Sequence, residues 1–156
     1  MRLTIVAVGR LRDAPEALLA ADYITRAANI GKKLGFRAVE LIEVEARPPN
    51  DARAEAQALY KATPDSARKI LLDERGADWS SRQLAQKLAR WRDDGAPGAV
   101  FWIGGADGVS QSVKDNADEK LAFGRQTWPH RLVRVMISEQ IYRALTILCA
   151  TPYHRD

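Results

Sequence analysis

Residues 100–110, "VFWIGGADGVS", join an apolar run directly to three glycines within five positions. The apolar run predicts a buried strand, and the glycines predict a tight loop that opens the next element. In α/β proteins with a parallel sheet, ligands bind in the crevice at the carboxyl ends of the strands, where such a loop lies. The stretch therefore predicts an α/β fold and the edge of the sheet at which a ligand would bind.

The spacing of these glycines separates the possible ligand classes. "GGADG", 104–108, matches neither the G-x-G-x-x-G fingerprint of dinucleotide sites nor a Walker loop with its lysine and hydroxyl. Asp107 also puts a negative charge where a phosphate would sit. A nicotinamide-dependent oxidoreductase is further disfavoured because the first loop, "GRLRDAP" at 9–15, lacks that fingerprint. Two interpretations remain: a structural turn, with Gly108 as its turn glycine, or a loop that contacts a ligand without phosphate.

The rest of the chain alternates strand and helix patterns. Apolar and β-branched runs predict strands at 2–8, at 36–45, at 68–76 where a turn closes the strand, before Gly104, and more weakly within 121–128. Helical spacing predicts helices at about 15–34, at 52–62, from a cap at Ser80 or Ser81 to Gly95, at 110–119 and at 131–148. This alternation is typical of an α/β fold with a largely parallel sheet.

The composition is that of one soluble domain spanning residues 1–156. Apolar residues make up 46% and charged residues 28% of the 156 positions, which excludes a disordered chain. The apolar run before Gly9 is too short for a signal peptide or a membrane span, so we expect a cytoplasmic protein. Cys149 is the only cysteine, and no residue spacing resembles a metal site, so we expect no metal.

Positive charge is concentrated towards the C-terminus. The net charge is +4 and the isoelectric point is about 9.4. From residue 125 onwards the charged residues include five arginines and two acids: Arg125, Arg131, Arg134, Arg143 and Arg155 against Glu139 and Asp156. This balance permits a polyanionic partner such as RNA without requiring one.

Several residues near the C-terminus are candidates for chemistry, and each also has an ordinary structural interpretation. His130 follows Pro129 at the start of the last predicted helix, where a histidine can simply cap the helix. Glu139 and Arg143 have the i, i+4 spacing of an exposed ion pair. The tail "YHR", 153–155, combines an aromatic ring, a titratable base and a guanidinium, which suit base stacking, proton transfer and phosphate binding.

Six separated pieces of the sequence occur in a distinctive order: "RLTIVAVG" (2–9), "LLDERG" (71–76), "LARW" (88–91), "IGGADG" (103–108), "PHRLVRVMISEQIYRA" (129–144) and "PYHRD" (152–156). Together they resemble the ribosomal RNA large subunit methyltransferase H family. The resemblance implies a SPOUT-type trefoil-knotted α/β fold with a mostly parallel sheet flanked by helices. It implies methylation of N3 of a pseudouridine in 23S ribosomal RNA within the assembled ribosome. It also implies S-adenosylmethionine as methyl donor and a homodimer in which the partner chain completes the active site.

The same resemblance implies two groups of site residues. The cofactor-binding group comprises Leu72, Gly104, Phe123, Gly124, Arg125, Gln126, Thr127 and Trp128. The catalytic group comprises His130, Glu139, Tyr153, His154 and Arg155. Tyr153 would position the base, His154 or Glu139 would assist loss of the N3 proton, and the arginines would hold RNA phosphates. The main alternative is a non-catalytic RNA-binding module that uses the same basic C-terminal face, which need not bind S-adenosylmethionine when RNA is absent.

Overall fold

Five parallel strands form one sheet at the centre of the protein, in a computed structural model that describes residues 1–154. The strands are β1 (Arg2–Val8), β2 (Ala38–Val44), β3 (Arg68–Asp78), β4 (Gly98–Ile103) and β5 (Glu119–Ala122). Their order across the sheet is β2-β1-β4-β3-β5, and every pairing is parallel. All the carboxyl ends therefore meet at one edge of the sheet.

Helices cover both faces of the sheet. They are α1 (Pro15–Gly31), which a 3-10 turn (Lys32–Leu34) extends, α2 (Ala52–Lys61), α3 (Ser81–Asp93), α4 (Gln111–Asn116) and α5 (His130–Leu148). Alternate residues of β1 enter two separate apolar clusters: Ile5 packs in the cluster shared with α1, α3 and α5, whereas Val6 packs in the cluster shared with α2 and α4. The α/β fold is thereby confirmed, and the trefoil knot stays a prediction.

Ser80 is the residue that caps α3. Its side-chain oxygen accepts a hydrogen bond from the Gln83 backbone N–H at 3.2 Å, and the Gln83 side chain accepts one from the Ser80 N–H at 2.8 Å. This reciprocal pair satisfies two N–H groups that would otherwise lack partners at the start of the helix. Leu84, Leu88 and Trp91, which repeat at the i, i+4 and i+7 positions of one helix face, are all buried.

The boundary between α4 and β5 differs from the sequence prediction. The helix predicted for 110–119 ends at Asn116, and β5 begins at Glu119 instead of within 121–128. Asp118 explains the difference, because its backbone N–H donates to the Lys69 carbonyl at 2.8 Å and its carboxylate accepts from the Lys69 N–H at 2.7 Å. Pairing with β3 thus decides the local conformation, as tertiary contacts often override helix propensity.

The turn predicted at Gly76 is a bulge inside a longer strand. β3 pairs with β5 up to Leu72, leaves the ladder, and returns at Ala77, so that Leu72 and Ala77 both lie opposite Leu121. A Cβ atom on Gly76 would lie 2.7 Å from the Leu121 backbone, so this position requires glycine. The bulge pushes residues 73–75 out of the sheet at its carboxyl end.

Candidate functional site

A cleft of about 610 Å³ opens at the carboxyl edge of the sheet, where β4, β3 and β5 end side by side. Its lining comes from the strand ends, the glycine loop after β4, the loop after β5 and the start of α5. The predicted site residues in this lining are Leu72, Gly104, Phe123, Gln126, Thr127, Trp128 and His130. Residues from widely separated parts of the sequence thus share one cleft.

The glycine loop forms one wall of the cleft. Gly108 has φ of +81° and donates its N–H to the Gly105 carbonyl at 3.2 Å, so the prediction that it is a turn glycine is confirmed. A Cβ atom on Gly104 would collide with Cγ1 of Val109. Glycine at 104 therefore lets the loop fold back against its own Val109, which is a reason that the sequence did not reveal.

Three hydrogen bonds hold the loop after β5, residues 123–128, in place. They run from the Gly124 N–H to Asp78 (3.1 Å), from the Thr127 hydroxyl to Glu74 (3.1 Å) and from the Trp128 indole N–H to the Phe123 carbonyl (2.9 Å). Two of these bonds connect the loop to β3. Gly124 and Arg125 belong to this loop, but they are not among the described residues that line the cleft. Arg125 is exposed to solvent.

His130 lies at the first position of α5 and lines the cleft. Partial burial lowers its pKa below the usual range, and the positive charges of Arg134 and Arg131 lower it further. The imidazole is therefore neutral at pH 7 and able to accept a proton or a hydrogen bond. No side-chain hydrogen bond caps the helix here, because the N-cap residue is Pro129.

Two acidic residues of the cleft were missed by the sequence analysis. Asp73 and Glu74 follow Leu72 in the β3 bulge and line the cleft, and Asp73 lies 3.8 Å from the Lys114 ammonium. An acidic pair directly after a buried strand could have indicated them. Lys114 could not have been found in this way, since the surface helix α4 carries it without any local motif.

Arg134 anchors the first half of α5 beneath the cleft edge. Its guanidinium is completely buried and donates to the Glu43 carboxylate at 2.8 Å and to the Val8 carbonyl at 2.6 Å. Glu43 also accepts from the Leu11 N–H at 3.0 Å. The prediction that this arginine adds to a positive surface is wrong, because its guanidinium is buried and hydrogen-bonded to residues at the ends of β1 and β2.

Glu139, Arg143, Tyr153 and His154 form a second group, which we call the tail cluster. Glu139 accepts hydrogen bonds from the Arg143 guanidinium (2.5 Å) and the Tyr153 hydroxyl (3.0 Å). The i, i+4 ion pair that the spacing indicated does form, but the Glu139 and Arg143 side chains are only 16% and 26% exposed, so the pair is partly buried instead of exposed. The Arg143 guanidinium also lies 4.9 Å from the centre of the Tyr153 ring.

Proton positions in the tail cluster follow from its donors. Burial raises the pKa of Tyr153, and hydrogen bonds to Tyr23 and Glu139 raise it further, so its hydroxyl stays protonated. Nδ1 of His154 lies 3.4 Å from the Arg143 guanidinium. This contact places the His154 ring beside the Glu139–Arg143 pair.

The tail cluster and the cleft are separate in one chain. Glu139 follows His130 by nine residues on α5, which corresponds to about 13 Å along the helix axis. Within residues 1–154, the lining of the cleft includes no member of the tail cluster. Arg155, the last predicted catalytic residue, lies outside the described residues. The structure thus brings together in the cleft His130 and all the cofactor-binding candidates except Gly124 and Arg125, and separately Glu139, Tyr153 and His154.

The part of the chain that the structure describes has neither a metal-ligand cluster nor a membrane-spanning helix. In residues 1–154, no three histidine, cysteine or carboxylate side chains converge as metal ligands would. Over the same residues, no helix has the length and apolar character needed to cross a membrane.

Comparison with known proteins identifies the family. The family model described as "Predicted SPOUT methyltransferase" matches residues 1–154. "Ribosomal RNA large subunit methyltransferase H" of Paracoccus denitrificans is 51% identical over 156 residues, and its namesake in Phenylobacterium zucineum is also 51% identical, each match covering both chains completely. A solved structure, that of a probable methylase family protein from Haemophilus influenzae, has a TM-score of 0.50 at 12% identity, covering 99% of this chain and 70% of that one, and supports the fold alone. The chain therefore belongs to the SPOUT methyltransferases, within the ribosomal RNA large subunit methyltransferase H family.

Proposed function

We propose that this methyltransferase takes its methyl group from S-adenosylmethionine and transfers it to N3 of a pseudouridine in 23S ribosomal RNA. The observation that carries the proposal is the cleft itself, which combines the close backbone of residues 104–108 with the carboxylates of Asp73 and Glu74. S-adenosylmethionine has no phosphate and carries a positive sulfonium and ammonium, which carboxylates attract. A nucleoside triphosphate would instead be repelled by them.

The residues of the cleft suit this cofactor in polarity as well as in charge. Leu72 and Phe123 supply apolar surface, while the pinned loop 123–128 and the glycine loop supply backbone N–H and carbonyl groups that can pair with the adenine and ribose. When bound, the cofactor supplies a methyl group already activated by its positive sulfur. The protein therefore has to align N3 of the substrate with the methyl carbon and to accept the proton that N3 loses.

The catalytic assignment rests on the tail cluster and His130. The new N3–carbon bond forms as the sulfur–carbon bond breaks, and the N3 proton leaves to a base. Glu139 and His154 are the two proposed acceptors of that proton. Tyr153 is proposed to position the nucleobase of the substrate, since the hydrogen bond from its hydroxyl to Glu139 fixes the tyrosine ring. Neutral His130 at the cleft and Arg155 in the tail are proposed to surround the same nucleotide.

We further propose that a homodimer joins the two halves of the site, so that the tail cluster of one chain faces the cleft of its partner. The separation along α5 supports this arrangement. So do large apolar side chains that remain exposed in a single chain, among them Leu18 (78% exposed) on α1, and Trp128 and Leu132 (40% each) beside the cleft. Their burial against a partner would favour association.

The shared site predicts a specific pattern of activity in mixed dimers. One chain carries Gly104→Val, which disables the cleft, and its partner carries Tyr153→Ala with His154→Ala, which disables the tail. Each parental dimer is expected to be inactive, whereas the purified mixed dimer contains one intact site and should regain roughly half of the wild-type methylation rate. The measurement is methyl transfer to ribosomes by dimers purified through two different tags.

The matched control pairs a wild-type chain with a chain that carries all three substitutions. In a shared site this dimer has two damaged sites and is expected to be inactive. If each chain instead contained a complete site, this control dimer would keep half of the activity and the first mixed dimer would have none. The two arrangements therefore give opposite results.

Two exposed arginines are proposed to contact the phosphates of the substrate. Arg125 in the loop after β5 and Arg131 in the first turn of α5 lie beside the cleft and are open to solvent, unlike the buried Arg134. The proposed substrate is the assembled ribosome in the cytoplasm, and each chain is proposed to form one domain, residues 1–156.

Nucleoside mass spectrometry of ribosomal RNA tests the reaction. 23S ribosomal RNA from cells that lack this protein is expected to have lost N3-methylpseudouridine. Expression of this chain should restore the nucleoside, and the Gly104→Val variant should not. An unchanged level of N3-methylpseudouridine in the deleted strain would overturn the proposed substrate.

A further inference from the structure

The glycine loop is contacted from behind by a buried carboxylate, that of Glu55. The side chain comes from the first turn of α2, and the residue is only 6% exposed. It does not line the cleft. One oxygen of the carboxylate accepts a hydrogen bond from the Gly105 N–H at 3.4 Å. Glu55 therefore touches the loop on the side away from the cleft.

Gly105 links this carboxylate to the geometry of the loop. Its N–H points to Glu55, while its carbonyl accepts from the Gly108 N–H at 3.2 Å and closes the turn. A Cβ atom at 105 would lie 2.6 Å from the other carboxylate oxygen. The absence of a side chain at Gly105 thus allows the carboxylate to approach the loop backbone.

Packing alone does not account for a carboxylate at this position. Neighbouring residues of α2, Ala56 and Leu59, bury apolar side chains in the cluster beneath β1 and β4, and an apolar residue at 55 would join them without losing the hydration of a charge. The N-terminal turn of α2 offsets part of that cost, because its N–H groups favour a negative charge. What the carboxylate adds is a hydrogen bond to the loop.

We propose that Glu55 is a positioning residue that fixes the glycine loop in the conformation that binds S-adenosylmethionine, an inference that rests on the proposed function. Glu55 acts through Gly105 and touches neither the substrate nor the reacting atoms. Its loss therefore raises the KM for S-adenosylmethionine, while kcat at a saturating concentration of the cofactor changes little.

The test uses Glu55→Met, which keeps the length of the side chain but removes the acceptor. Calorimetry on the full-length protein, with S-adenosylmethionine alone, is expected to give a Kd raised about 10-fold. The KM for S-adenosylmethionine should rise by a similar factor, with kcat within about 2-fold. Glu55→Gln keeps an acceptor oxygen and should restore the Kd to within about 3-fold of the wild-type value.

Leu59→Ala is the matched control, because it disturbs the packing of the same helix one turn further on, at a fully buried residue. It is expected to lower the melting temperature and leave the Kd for S-adenosylmethionine within about 2-fold. Glu55→Met is expected to keep its melting temperature, since an apolar side chain suits this buried position.

The outcomes separate the two proposals. If the wild-type protein does not bind S-adenosylmethionine, the proposed function fails. If the wild-type protein binds it and Glu55→Met binds equally well, only the role of Glu55 is overturned. A Kd that rises as much in Leu59→Ala as in Glu55→Met would also overturn that role, because helix packing would then suffice to explain the effect.

Discussion

Gly104→Ala is expected to weaken binding of S-adenosylmethionine by about 10- to 100-fold. The added methyl group would collide with Cγ1 of Val109, so the loop or Val109 must move, and overpacking of this kind costs about 1–3 kcal/mol. Because Gly104 and Val109 both line the cleft, this movement would change the shape of its wall. Calorimetry with the cofactor in the absence of RNA measures the effect directly.

A second substitution separates steric displacement from any other effect at Gly104. Val109→Ala removes the atom that the new methyl group would meet, so the double variant Gly104→Ala/Val109→Ala should recover most of the lost affinity. Gly95→Ala is the control for substituting a glycine elsewhere. Gly95 has φ of +80° and no atom within 4 Å of an added Cβ atom, so it brings backbone strain without a collision and should not change the affinity. A double variant no better than Gly104→Ala would contradict this account.

The sequence predicted the elements whose signals are local. The signals for the apolar run of β1 and for a cap of α3 at Ser80 or Ser81 each lie within about ten residues. Both predictions were confirmed, with Ser80 as the cap. The end of α4 was not predictable in this way, because Asp118 pairs with Lys69, 49 residues earlier. The β3 bulge likewise depends on the fit of Gly76 against Leu121 of a different strand.

The candidate site shows the same difference between signals that are local in sequence and contacts that are not. Motifs located the glycine loop and His130, whereas the partners that hold them are distant in sequence. Glu55 contacts Gly105 from 50 residues away, and Arg134 contacts Glu43 from 91 residues away. Charge counting failed at Arg134 for this reason, since a guanidinium looks the same in a sequence whether it faces solvent or the interior.

Glu43→Ala is expected to lower the free energy of unfolding by about 3–5 kcal/mol, the usual cost of leaving a buried charge without its partner. Arg134 is fully buried, and burial lowers its pKa while the Glu43 carboxylate opposes that shift. Removal of the carboxylate leaves the guanidinium with the Val8 carbonyl, and it also takes away the acceptor of the Leu11 N–H. Urea denaturation followed by circular dichroism measures the loss.

Glu40→Ala is the matched control on the same strand. Glu40 lies 4.0 Å from the largely exposed Arg2 and accepts a hydrogen bond from the Thr4 hydroxyl at 3.3 Å, so its loss leaves no buried charge unpaired and is expected to cost about 1–2 kcal/mol. The double variant Glu43→Leu/Arg134→Met removes both charges and should regain most of the stability, because an apolar pair avoids the desolvation of two ions.

Since Arg134 follows His130 by one helical turn, the same double variant tests whether the ion pair also orients the cleft. If the ion pair orients the cleft, the double variant should regain its stability but bind S-adenosylmethionine with a raised Kd. Equal losses of unfolding free energy in Glu40→Ala and Glu43→Ala would contradict the role of burial.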